Sequence, residues 1–156
     1  MKRKVQKFLK MPAQQRLLFL EALLSVSVVR VGLLVLPVRA VRRALGWVFP
    51  PPAPMVERSR SSAEEIAHCV TAAARNSPVG YTCLGSALVG KALLSRHGLE
   101  CHLRIGVRRE GNRAFAAHAW LERDNRVIIG GPSAVVELYQ ELPDVDRLLA
   151  YRFTKT

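Results

Sequence analysis

Apolar positions recur with helical spacing through the first two thirds of the chain and then switch to strict two-residue alternation. The first apolar run extends from Leu17 to Leu36, with Pro12 ahead of it at a place that suits a first helical residue and Pro37 behind it as a stop. Glu21 and Arg30 interrupt the run, so its longest uncharged stretches are eight residues, Ala22 to Val29 and Val31 to Val38. Each such charge near a bilayer centre costs ~3 kcal/mol on insertion scales. The pattern therefore predicts a buried or membrane-surface helix rather than a spanning one. A short basic helix, Val38 to Leu45, follows and is expected to close at Gly46. Pro50-Pro51-Pro52-Ala53-Pro54 is too rich in proline for a helix or a central strand and reads as a stiff connector. The expected organisation is N-terminal helices over residues 1–49, a connector over 50–60 and a core domain over 61–156.

Within that core, Ser61 or Ser62 caps a helix whose first turn carries Glu64 and Glu65, and which runs through Ile66, Val70 and Ala73 to about Arg75. Ser77-Pro78-Val79-Gly80 is a loop. Thr82 then caps a helix from Cys83 to His97, ended by Gly98. Leu84, Ala87, Leu88, Val89, Ala92, Leu93 and Leu94 surround nearly its whole circumference, which predicts burial at the centre of the fold. Alternation begins at Cys101: Cys101, Leu103, Ile105 and Val107 share one face of a half-buried strand. A turn at Glu110-Gly111-Asn112, a strand from Ala114 to Glu122, a tight turn at Asp124-Asn125 and a strand from Arg126 to Ile129 complete an antiparallel meander. Short helices are expected over 135–142 and 144–150. The fold class is α+β, a central buried helix packed on an antiparallel sheet and preceded by N-terminal helices.

Composition narrows the partners. The 156 residues carry a formal charge of +12, with 49% hydrophobic and 23% charged residues, a globular composition that favours an acidic partner or an anionic surface. No basic stripe interleaved with aromatics is present, so nucleic acid is not expected. Cys69, Cys83 and Cys101 are odd in number and lack paired spacing, which argues against a disulfide framework and for a reducing cytoplasm. His68-Cys69 and Cys101-His102 show no metal-ligand spacing, and neither metal nor cofactor is expected. The charges inside the first apolar run also argue against a cleaved secretory signal.

Two residues carry the candidate chemistry. A cysteine in the first turn of a helix meets the positive end of the dipole and free backbone N–H groups, which favour the thiolate and can hold an oxyanion. Cys83 is so placed. His118 lies on the second strand, sharing a face with Trp120 and Glu122 while Ala117, Ala119 and Leu121 share the other. If the central helix packs on the His118 face, the imidazole could take the Cys83 proton and return it to a leaving amine. A cysteine in an apolar run is more often core, and a strand histidine more often structural. Cys69 falls inside a helix and Cys101 on an apolar strand face, and His68, His97 and His102 read as surface groups.

Cys83-Leu84 through Leu94 and Gly98, then Ile105-Gly106-Val107, then Ala117-His118-Ala119-Trp120-Leu121-Glu122 resemble the transglutaminase-like cysteine proteases that remove leader peptides in lasso-peptide biosynthesis. The likeness is close over roughly residues 80–131 and extends to the N-terminal helix with its proline stop. It implies a papain-like, transglutaminase-type topology and a Cys–His–Asp triad, with Cys83 and His118 in the first two places. It also implies three partners: a precursor peptide, a separate leader-binding protein, as in the stand-alone form of the family, and an ATP-dependent lasso cyclase. The aspartate of the pattern falls about Gly130, where this chain reads Ile128-Ile129-Gly130-Gly131-Pro132. Hairpin arithmetic pairs 123 with 126 and hence 118 with 131. Substitutes for the third member are Asp124, which is preferred, Glu122, Ser133, or a backbone carbonyl or water. The expected location is cytoplasmic, with contact to a membrane surface as an alternative role for the apolar helix.

Overall fold

The structure is a computed structural model that describes residues 11–51, 62–111 and 114–143. The apolar run forms α1, Ala13–Val35, entered from Pro12 and left through extended Leu36. Pro37 sets the start of α2, Val38–Val48. This helix runs past Gly46, where closure was expected. Gly46 sits on an open face, and the drive to bury Phe49, 6% exposed beneath the Arg96 guanidinium, carries the backbone on for two more residues. Glu21, which breaks the apolar run, has a structural partner: both its carboxylate oxygens accept from Arg96, one of them at 2.7 Å, tying α1 to the central helix.

Helix α3, Ala63–Asn76, opens on a reciprocal cap in which Ser62 Oγ accepts from Glu65 N at 3.1 Å and Glu65 Oε2 accepts from Ser62 N at 3.0 Å. The central helix α4 spans Cys83–Arg96 and buries Leu88, Val89, Leu93 and Leu94. Each such aliphatic contributes roughly 1.5–3 kcal/mol. Helices α1, α3 and α4 pack together on one side of the sheet.

The sheet comprises β1 (His102–Glu110), β2 (Ala114–Arg123), β3 (Arg126–Ile129) and a two-residue β4 (Gln140–Glu141), antiparallel throughout in the order β3-β2-β1-β4. The expected helix over 135–142 is absent. A single turn, α5 (Ser133–Val136), precedes β4, which pairs with β1 through Gly106↔Glu141 and Val107↔Gln140. The helix expected over 144–150, the basic segment 1–10, residues 52–60 of the connector and residues 112–113 of the first hairpin turn lie outside the described residues.

Register departs from simple hairpin counting. Arg123↔Arg126 and Glu122↔Val127 pair as expected, but a bulge then matches Leu121 with Ile129, so the pairing of 118 with 131 does not form. Leu103, Ala119, Leu121 and Ile129 face the helices and join their core. Gly90 of α4 lets the two layers meet: a Cβ there would lie 2.4 Å from Ile129 Cδ1 and 2.9 Å from Leu121 Cδ1.

Candidate active site

Helix α4 starts at Thr82, whose extended backbone turns the chain into the helix. Thr82 Oγ1 accepts from Gly85 N at 3.3 Å, and Thr82 O accepts from Ser86 N at 3.1 Å and Ser86 Oγ at 2.8 Å. Of the N–H groups that a helix start leaves without intrahelical partners, those of Cys83 and Leu84 remain beyond this cap, at the positive end of the dipole. Cys83 is half-buried, packed on the core on one side.

His118 lies opposite Gly106 on β1. Its Nε2–H donates to Gly130 O at 2.6 Å. Because a carbonyl can only accept, this bond puts the proton on Nε2 and leaves Nδ1 as the basic nitrogen of the neutral ring. The ring stacks near Trp120, centroids 6.1 Å apart and planes 19° from parallel, and meets Tyr139 at 5.2 Å. Gly130 admits no side chain: its φ is +121°, and a Cβ would fall 2.4 Å from Trp120 Cβ and 2.9 Å from Trp120 Cα. A main-chain carbonyl thus holds the imidazole at the place where the resemblance sets an aspartate.

The carboxylates named as substitutes are engaged elsewhere. Asp124 sits at the hairpin tip with φ 50° and accepts from Arg123 Nε at 3.2 Å. Glu122 accepts from Arg104 Nε at 3.2 Å, and the same guanidinium reaches Glu141 at 2.7 Å, so Arg104 ties β2 and β4 to β1. Ser133 is exposed at the start of α5.

Cys83 and His118 are not hydrogen-bonded to each other among the described residues. The central helix packs on the face of Ala119 and Leu121, not on that of His118, because Gly90 admits Leu121 and Ile129 while the other face is filled by Trp120 and Tyr139 over Gly106. A cavity of about 220 Å³ lies close by, lined by Thr71, Arg75, Tyr81, Ser86, Ile129, Gly130 and Gly131 but by neither Cys83 nor His118. Tyr81 and Ser86 flank Cys83 in sequence, and Gly130 holds His118. Burial pushes the Tyr81 hydroxyl up from its ordinary pKa, and a negative charge on Cys83 adds to the rise, against smaller opposing effects of Ser86 and Arg75. Tyr81 and Tyr139 were given no role from the sequence, whereas a backbone carbonyl was among the alternatives named for orienting His118, and the glycine pair in the aspartate's slot was its signal.

Of the other cysteines, Cys69 is 2% exposed and its thiol is pushed up by burial and then by Glu65, while Cys101 is 8% exposed. His97, expected at the surface, is partly covered at the end of α4, and burial followed by the Arg96 charge lowers its pKa. Among the described residues no group of three or more His, Cys, Asp or Glu is placed to hold a metal ion.

Compared with known proteins, residues 28–143 match the sequence model of the transglutaminase-like superfamily. No curated protein and no solved structure matches the chain.

Proposed function

The chain belongs to the transglutaminase-like superfamily, and from that premise we propose that it is a cysteine peptidase which removes the leader from a lasso-peptide precursor. The observation that carries the proposal is the His118–Gly130 bond, which leaves Nδ1 basic on a ring held by its other nitrogen. In the proposed reaction Nδ1 takes the Sγ proton of Cys83, and the thiolate attacks the carbonyl carbon at the leader–core junction. The Cys83 and Leu84 N–H groups receive the oxyanion. Nδ1–H then protonates the leaving amine of the core, and a thioester links the leader to Cys83. Water, deprotonated by Nδ1, attacks the thioester, releasing the leader carboxylate and restoring the thiol. The scheme uses neither metal nor cofactor. Thiol and imidazole are not bonded in the free protein and the helix does not pack on the His118 face, so the scheme requires a rearrangement that brings them within hydrogen-bond reach when substrate binds. A separate leader-binding protein presents the precursor, and an ATP-dependent cyclase consumes the freed amine. The setting is the cytoplasm, with α1 at the membrane surface.

The test is incubation with a lasso precursor, with and without its leader-binding protein, read by mass spectrometry. Cleavage is expected at one bond and is lost by at least about a thousandfold in Cys83→Ala and His118→Ala. A leader amide instead of a leader carboxylate would identify acyl transfer to an amine. The absence of a thiol–imidazole hydrogen bond favours one second reading, a binding module without catalysis. In that case a thiol-reactive peptide fails to label Cys83 at neutral pH while the precursor still binds.

A further inference from the structure

The cavity between α3, the start of α4 and the turn after β3 has a definite chemistry. Arg75, in the last turn of α3, lines it, makes no ion pair among the described residues, and faces no Asp or Glu within the cavity. Thr71, Tyr81 and Ser86, each bearing a hydroxyl, share its wall with Ile129. The guanidinium acts on the Tyr81 hydroxyl, lowering a pKa that burial raises. A volume of about 220 Å³ suits one amino-acid side chain and is too small for a second strand of peptide. Gly131 forms one lip, and the space where its Cβ would stand is open.

We propose that this cavity is a specificity pocket for a carboxylate side chain, Asp or Glu, of a peptide residue flanking the scissile bond. The proposal rests on the peptidase reading for its substrate. Tyr81 and Ser86 lie on either side of Cys83, and Gly130 carries His118, so a side chain seated here belongs to a residue next to the one attacked. Ile129 receives the methylenes, the guanidinium fork takes both carboxylate oxygens, and the Thr71 and Tyr81 hydroxyls can donate to them, the Ser86 proton being held by Thr82 O. A Lys or Arg side chain meets a like charge. Arg75 is exposed to solvent, which holds the expected preference for acid over amide to about tenfold rather than the larger factor of a dry site.

The experiment uses N-acetyl hexapeptides in which each position in turn is Glu, Gln, Asp, Asn or Lys. It reads cleavage by the full-length protein and, separately, affinity for Cys83→Ala by fluorescence polarisation of labelled copies. One position is expected to prefer Glu or Asp over its amide about tenfold. Arg75→Gln should abolish that preference and Arg75→Glu should shift it to Lys, with thermal denaturation verifying that both variants fold. Acid-selective, Arg75-dependent binding supports the pocket with or without cleavage of the hexapeptides, and cleavage of the precursor presented by its leader-binding protein decides the peptidase reading. Cleavage with equal rates for acid and amide at every position supports the peptidase reading and overturns the pocket. Absence of selective binding at any position, or a preference that survives Arg75→Gln, overturns the pocket.

Discussion

His118 rests on a neutral carbonyl instead of a carboxylate, and the difference has consequences for both reactivity and stability. A carboxylate would favour the imidazolium and so a pre-formed thiolate pair; a carbonyl orients the ring but adds no charge. Gly130 cannot be converted to the usual arrangement, because any Cβ meets the Trp120 backbone and the φ of +121° is strained for an L side chain. Gly130→Asp should accordingly fail to strengthen the site. Both Gly130→Ala and Gly130→Asp are expected to lose about 1–3 kcal/mol, read as a fall in Tm on the order of 5 °C, together with slower alkylation of Cys83. A more active Gly130→Asp protein of unchanged Tm would show that a side chain fits there. Cys83 and His118 were legible in the sequence because a helix start and an alternating strand mark their positions. The group that holds His118 was named only as one of several alternatives behind Asp124, since a main-chain carbonyl leaves no residue type to recognise.

Among the elements, those with a strong local signal match their expected bounds closely. Helix α3 starts at a Ser62/Glu65 box and α4 at the Thr82 cap, both written in side chains. Misjudged elements depended on contacts distant in sequence: α2 continues through Gly46 to bury Phe49, β4 forms because β1 offers an open edge, and the bulge in β3 brings Ile129 under Gly90. The end of α4 offers a pH test. His97 caps it with both ring nitrogens buried and unpartnered, and its pKa is lowered first by burial and then by Arg96. A histidine with a depressed folded pKa is neutral in both states at high pH, and on acidification the unfolded chain takes up the proton first. Stability should therefore be full above the unfolded value of about 6.5 and fall as pH drops below it. His97→Gln is expected to flatten that fall in urea titrations between about pH 7 and pH 5, and an unaltered slope would assign the acid sensitivity to other groups.

At the scale of the whole molecule, α1 is apolar on two sides for different reasons. Leu18, Ala22, Val26 and Val29 are buried in the helical core, and the Glu21–Arg96 pair fastens this side to α4. On the outer side Ala13, Leu17, Leu20, Leu24, Val28, Val31 and Val35 are all exposed, a stripe without a polar residue over a helix about 34 Å long. The stripe has the length and hydropathy to cross a membrane, but crossing would strip the inner face from its core. We propose that it lies flat on an anionic bilayer. Trp47, 76% exposed with the Arg43 guanidinium 5.4 Å from its ring, is an aromatic of the kind that anchors at interfaces, and the net charge of +12 supplies attraction worth about 1 kcal/mol for each basic side chain at the surface. The full chain should co-sediment with phosphatidylglycerol-rich vesicles, less with phosphatidylcholine alone, and release as salt shortens the Debye length. Leu24→Glu with Val28→Glu should abolish sedimentation while changing Tm little, because both side chains already face water. If wild-type protein ignores vesicles yet the double substitution blocks capture of the leader-binding protein, the stripe is a protein-docking face and the bilayer assignment fails.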